Sequence, residues 1–255
     1  MTKLSLISKQ QPLAIKAHVG SVLESTGFRI MCATDLWGAS DHALQKALWL
    51  AEAMHAELLL LHVVDGETPL RISGKRAEHA RGALQWRVRR WPDFKPRPAI
   101  SVRIGNPHRT ISRVAQEWRA DLIVLGSSRP RRMDRFLATT AERTAAEARC
   151  AVLVVNGSKP EAYRHVTIVA PSSGQAAALE QVMSRLDVLH TSRHLDVRIG
   201  SRTASLPRQP DCVIVPADRW PALSSLFRRS RAASLLAQSR TVDVLIVPHR
   251  SVAVA

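Results

Sequence analysis

Short apolar runs at residues 28–33, 58–64, 100–104, 122–125 and 151–155 alternate with stretches of helical periodicity along the first 156 residues. Each run is continuous rather than alternating, as expected of strands covered on both faces. Between the first two, Ala43, Leu44, Ala47, Leu48, Ala51 and Met54 recur at helical spacing, with Ser40 or Asp41 able to cap the helix. Before the fourth, Ile111, Val114, Ala115 and Trp118 share one face of a helix over 109–119, which follows the turn Gly105-Asn106-Pro107. This alternation predicts a parallel, doubly wound, Rossmann-like α/β sheet. Residues 65–98 differ, being punctuated by Gly and Pro and rich in Arg, with a basic helix predicted over 73–91.

The pattern then recurs in shortened form. Residues 166–170 resemble the first strand, 175–186 form an alanine- and leucine-rich helix, and Asp196 to Ile199 before Gly200 echo Ser101 to Ile104 before Gly105. Residues 211–215 echo 121–125, and 244–247 echo 152–155, each final strand being preceded by a helical stretch (139–148 and 229–238). An internal duplication follows. The expected division is a leader at 1–27 with a short amphipathic helix near 13–23, a first domain at 28–156, a linker at 157–162 and a shorter second domain at 163–250.

Composition narrows the partners. The 255 residues carry a formal net charge of +16 with a sequence pI near 11.2. That surplus favours contact with polyanions, although solvated arginines on an ordinary surface are the simpler account of it. Aromatic content of 4% leaves few platforms for stacking bases. Cys32, Cys150 and Cys212 each lie alone in an apolar run, without metal-ligand spacing, and read as buried reduced thiols. No signal-peptide pattern and no run of membrane-spanning length is present, so a cytoplasmic location is expected.

Catalytic constellations are absent from the sequence: no nucleophile elbow, zinc-protease motif or Walker sequence occurs. His62, ending a strand, reads as a packed or hydrogen-bonded residue. One segment does suggest ligand chemistry. A strand ending at Gly126, a loop, and a helix start bearing Thr139 and Thr140 would together aim backbone N–H groups at an anion. Arg129-Pro130 interrupts that loop. Arginine's Cβ disfavours positive φ, and proline offers no N–H donor and biases Arg129 towards extended geometry.

Cys32-Ala33-Thr34-Asp35, Ser40-Asp41-His42-Ala43-Leu44, Leu61-His62-Val63-Val64, Gly105-Asn106-Pro107, Ala120 to Gly126, Ala141-Glu142-Arg143 and Cys150 to Val155 follow one another in order and spacing. In this the chain resembles the universal stress protein family in its tandem form, well over 28–156 and poorly over 163–248. The resemblance implies a five-stranded parallel sheet per domain, with the final strands (152–155 and 244–247) pairing across a pseudo-twofold between domains. ATP-binding members close a Gly-x2-Gly-x9-Gly-Ser/Thr loop over the phosphates. By resemblance Asp35 would meet the adenosine end, Val63 would line the base pocket, and Gly126 with Thr139 would hold phosphate. Asp35 reads equally well as a strand-end residue bonding nearby N–H groups, and Thr139 as a plain helix-start hydroxyl.

The departures are specific. Arg129 replaces the second loop glycine, Ala138 the third, and the loop is one residue short. In the second copy Ser172 stands for the aspartate, Pro216 for the first loop glycine and Ser230-Arg231 for Gly-Ser, so ATP or ADP is expected in the first domain only, if at all. Three readings follow. The leading one is a stress-response protein acting by binding and conformation rather than catalysis, without the usual glycine-loop mode of ATP binding. The second is an adenine-nucleotide sensor in which Arg129, Arg131 and Arg132 grip phosphate through side chains, with Thr139 and Thr140 beside them; slow ATP hydrolysis is conceivable only there. The third is a nucleic-acid or other polyanion binder using the basic insert at 71–103 and the 129–135 loop. Association with a protein partner or into a homo-oligomer stays open under each.

Overall fold

The computed structural model describes residues 27–36, 38–67, 70–95, 97–127, 140–156, 159–186, 190–199, 210–217 and 242–248. The predicted helices at 13–23 and 229–238 lie outside these residues. Strands β1 (Arg29–Ala33), β2 (Glu57–Asp65), β3 (Ala99–Gly105), β4 (Leu122–Gly126) and β5 (Ala151–Val155) alternate with helices α1 (Gly38–Ala53), α2 (Leu70–Arg89), α3 (Pro107–Glu117) and α4 (Thr140–Glu147). Then follow β6 (Tyr163–Ala170), α5 (Ser173–Arg185), β7 (His190–Ile199), β8 (Cys212–Pro216) and β9 (Asp243–Val247).

All nine strands form one sheet in the order β3-β2-β1-β4-β5-β9-β8-β6-β7. Every pairing is parallel except β5 with β9, which run antiparallel with Val152 opposite Ile246, Leu153 opposite Leu245 and Val154 opposite Val244. The two halves therefore meet strand to strand about a local twofold centred on Leu153 and Leu245. One face of the sheet packs against α1, α2 and α5, with Leu44, Leu48, Leu84 and Leu179 buried on it. The other packs against α3 and α4 through Ile111, Val114, Ala141 and Ala145. Strands covered on both faces account for the unbroken apolar runs of the sequence.

The halves share a detail beyond topology. The Asp121 carboxylate, at the start of β4, accepts from the Arg29 N–H at 2.8 Å, while the Asp121 N–H donates to the Arg29 carbonyl at 2.9 Å. At the start of β8, Asp211 accepts from the Arg164 and His165 N–H groups at 3.0 Å each and donates to the His165 carbonyl at 2.9 Å. The same carboxylate clamp thus fixes the first strand of each half to its neighbour.

Two sequence expectations need correction. Helix α1 begins at Gly38, so Asp41 lies in its first turn rather than at its cap. The strand around Asp196 extends over His190–Ile199 and pairs with β6, taking the place beside the first strand that β2 holds in the other half, not the outer place of β3 that its sequence echoes. Among the described residues the shortened copy has one strand on that side, and it takes the place next to β6. Ser172, standing where the resemblance calls for aspartate, is the N-cap of α5 and accepts from the Gln175 N–H.

Candidate functional site

The sheet's direction of growth reverses at β1, which has β2 on one side and β4 on the other. Such a switch point opens a crevice at the carboxyl ends of the strands. A cleft of about 210 Å³ lies there. Thr34 and Asp35 after β1, Val63 of β2, Gly126 and Ser127 at the end of β4, and Thr140 at the start of α4 contribute to its walls. Pro107 and Ile111, at the start of α3, close another side.

The turn ahead of α3 explains the position of Pro107. Gly105 has φ +154°, and a Cβ there would lie 2.8 Å from the Thr110 hydroxyl, so only glycine fits. Asn106 then caps α3 and Pro107 occupies its first turn, where a missing N–H costs nothing. His108 Nε2 meets Glu147 at 3.3 Å, bracing α3 against α4 on the flank of the cleft.

The loop after β1 is held from three directions. The Thr34 N–H donates to the Leu61 carbonyl at 2.9 Å, and Thr34 Oγ1 accepts from the Leu36 N–H at 3.0 Å. His62 Nδ1 donates to the Thr34 carbonyl at 2.8 Å, which fixes its tautomer. Leu36 takes φ 67°, a left-handed conformation that costs a branched residue about 1 kcal/mol or more. Arg87, from α2, stabilises it by donating to the Leu36 carbonyl at 3.2 Å and pairing with Asp41 at 3.0 Å.

Ser127 ties the cleft to the seam between halves. Its N–H donates to the Val155 carbonyl at 2.9 Å and its hydroxyl to Asn156 Oδ1 at 2.8 Å. The Asn156 N–H in turn donates to Asp243 Oδ1 at 2.7 Å, and the Tyr163 hydroxyl donates to Asp243 Oδ2. Asp243 is fully buried. Lys46, from α1, completes the cluster. It too is fully buried, donating to the Lys159 and Glu161 carbonyls at 3.1 and 2.6 Å and lying 3.8 Å from the Tyr163 ring centroid. Burial lowers its pKa from the usual 10.5, and the Asp243 carboxylate opposes that shift.

Of the residues singled out in the sequence, Asp35, Val63, Gly126 and Thr140 come together around one cleft. Arg129, Arg131, Arg132 and Thr139 lie outside the described residues. Arg87, read as part of a basic polyanion surface, faces inward with a side chain only 17% exposed. The sequence reading missed Lys46, Asn156, Tyr163 and Asp243. A signal existed for the first: Lys46 falls on the same buried stripe as Ala43, Ala47 and Leu50, where a lysine needs partners.

The three cysteines are free; Cys32 and Cys212 are buried and Cys150 half-buried. Burial pushes the Cys32 and Cys150 thiols up to about 12 and raises that of Cys212 as well. Among the described residues no cluster of His, Cys, Asp or Glu is placed to hold a metal ion, and no helix is long and apolar enough to cross a membrane.

A profile of the universal stress protein family matches residues 28–156, half the chain. The chain belongs to the universal stress protein family. Among solved structures, a universal stress protein from Archaeoglobus fulgidus DSM 4304 is 15% identical and superposes with a TM-score of 0.58 over 86% of this chain and 96% of its own. That likeness shows the fold of this family member across both halves. Universal stress protein UspA from Lactobacillus plantarum is 26% identical, covering 50% of this chain and 96% of its own with a TM-score of 0.45. A universal stress family protein from Burkholderia pseudomallei is 29% identical over 49% of this chain and 93% of its own, with a TM-score of 0.41. The comparison with curated protein sequences gives no match.

Proposed function

We propose that this chain is a fused pair of universal-stress-type units that acts by ligand binding and conformation rather than by catalysis, with its ligand cleft in the first unit. The matching carboxylate clamps of Asp121 and Asp211 and the twofold seam at Leu153 and Leu245 support the pairing. The observation that carries the ligand reading is the convergence of Asp35, Val63, Gly126 and Thr140 on one cleft.

The ligand class proposed is an adenine nucleotide, its base against Val63, its ribose towards Asp35 and its phosphates towards Gly126 and the start of α4. At about 210 Å³ the cleft is smaller than the usual range of about 300–1,000 Å³ for small-molecule sites, which suits enclosure of the nucleoside portion. Arg129-Pro130 cannot supply the glycine loop's nest of amides, so phosphate affinity falls to the side chains of Arg129, Arg131 and Arg132 with Thr139 and Thr140. Titration with fluorescent ADP and ATP analogues tests this. Saturable binding that Asp35→Ala weakens about tenfold is expected. Absence of binding by both nucleotides, with the protein folded, overturns it.

A second reading keeps one observation in its favour. On α2, Trp86 is 60% exposed with the Arg90 guanidinium 5.1 Å from its ring, a cation-bearing aromatic platform. Binding to single-stranded RNA that falls steeply with salt and is lost in Trp86→Ala would favour a polyanion role.

A further inference from the structure

A second cleft, of about 410 Å³, opens at the opposite end of the sheet from the first. It sits on the seam. The first half contributes Phe28 ahead of β1, Asp121 ahead of β4 and Arg149 ahead of β5; the second contributes Gln181 and Arg185 of α5 and Val247 at the end of β9. Its volume falls within the usual range of about 300–1,000 Å³ for small-molecule sites.

The lining divides into an apolar part and a cationic part. Phe28, Val182, Leu186 and Val247 supply apolar surface. Arg149 and Arg185 are both exposed, and among the described residues neither side chain makes an ion pair or hydrogen bond. The one carboxylate of the cleft, Asp121, is already engaged by the Arg29 N–H. Two unpaired guanidiniums against one engaged carboxylate leave the cleft with a positive surplus. Guanidinium forks match the planar oxygens of carboxylate or phosphate.

We propose that this seam cleft binds a small amphipathic anion, an apolar body carrying a carboxylate or a phosphate. Arg149 and Arg185, one from each half, hold the anionic group, and Phe28, Val182 and Leu186 take the apolar body. Because the ligand touches both halves, its binding stabilises their juncture. This site is independent of the nucleotide reading, as it shares no residue with the first cleft.

Cys150 supplies a built-in reporter. It lines the cleft and is half-buried, whereas Cys32 and Cys212 are fully enclosed. Its high thiol pKa makes alkylation slow, so the reaction is followed with a maleimide at mildly alkaline pH and read by peptide mass. The probes are octanoate and octyl phosphate, with octanol and acetate as controls. Either anionic probe is expected to slow Cys150 labelling about fivefold or more at saturation, while the controls do not. Whichever of the two acts at lower concentration names the head group. Arg149→Ala and Arg185→Ala are each expected to raise the concentration required about tenfold, with an unchanged melting temperature verifying the fold, and Asp35→Ala is expected to change nothing. Equal protection by octanol, no protection by either anion, or protection indifferent to both arginines would overturn the proposal.

Discussion

The ammonium of Lys46 lies 3.8 Å from the centre of the Tyr163 ring, joining a helix of the first half to the first strand of the second. A buried lysine is tolerated because two linker carbonyls, of Lys159 and Glu161, accept its protons. Lys46→Ala leaves those carbonyls without their donor and opens a cavity. It is expected to destabilise the fold by about 2–4 kcal/mol. Lys46→Met keeps the volume and removes the desolvated charge, so a smaller loss of about 1–2 kcal/mol is expected. Urea denaturation of both variants measures the difference, and equal losses would mean that the lost ammonium rather than the lost volume sets the cost.

The chain from Ser127 through Asn156 to Asp243 connects the cleft to the seam. Asn156→Ala frees the Ser127 hydroxyl and withdraws nothing that lines the cleft. Nucleotide affinity is expected to fall about threefold to tenfold. Asp243→Asn should act in the same direction from the far half, since it weakens acceptance from both Asn156 and Tyr163. Calorimetric titration of the two variants checks this coupling, which an unchanged affinity in both would exclude.

Arg87 acts as a clasp on the strained Leu36. Arg87→Ala is expected to cost about 1–2 kcal/mol and to raise amide exchange selectively at 34–41. Arg87→Lys keeps the charge on a shorter side chain without the planar fork, and should recover only part of the protection. Hydrogen exchange with mass spectrometry resolves these segments.

How far the sequence disclosed this arrangement depends on where the information lies. Strands such as Leu122–Gly126 were legible because burial on both faces demands an unbroken apolar run. Gly126 and Thr140 were legible as a strand end and a helix start, positions that periodicity fixes within a residue or two, whereas Asp35 and Val63 were picked out only through the family resemblance. Register between distant segments was not. Nothing local tells Asp243 that it will meet Tyr163, or Lys46 that the linker carbonyls will cover it. The place of β7 was misread for the same reason: its sequence echoes β3, but among the described residues it is the one strand on that side and sits next to β6.

The thiols predict an alkaline limit. Cys32 and Cys150 are raised from 9.0 to about 12, and Cys212 is raised too, so the folded state holds protons that the unfolded state releases. The unfolded chain binds fewer protons above pH 9, and stability therefore falls as pH rises from about 9 towards 12. Each thiol contributes a slope of up to about 1.4 kcal/mol per pH unit. Lys46 runs the other way, since its lowered pKa makes the unfolded state the better proton binder just below pH 10.5, but one amine opposes three thiols. Urea midpoints at pH 8 and pH 10 should drop in the parent protein and drop less in Cys32→Ala, whatever that variant's loss at pH 8.

The antiparallel seam yields the last prediction. In the full chain β9 covers β5, so residues 28–156 alone would present the bare edge of Val152, Leu153 and Val154. An exposed apolar edge recruits a second strand. Because Leu153 and Leu245 already face each other about a local twofold, a second copy of the same segment can replace β9 with Leu153 opposite Leu153. The isolated segment is therefore expected to elute as a dimer by light scattering, and Leu153→Lys, which sets like charges across the axis, should shift it to monomer. A monomeric parent segment with a native melting transition would mean that the edge is protected by something other than β9. The same substitution in the full chain places a lysine in a fully buried position opposite Leu245, and is expected to cost several kcal/mol, on the order of 3 or more, by desolvation.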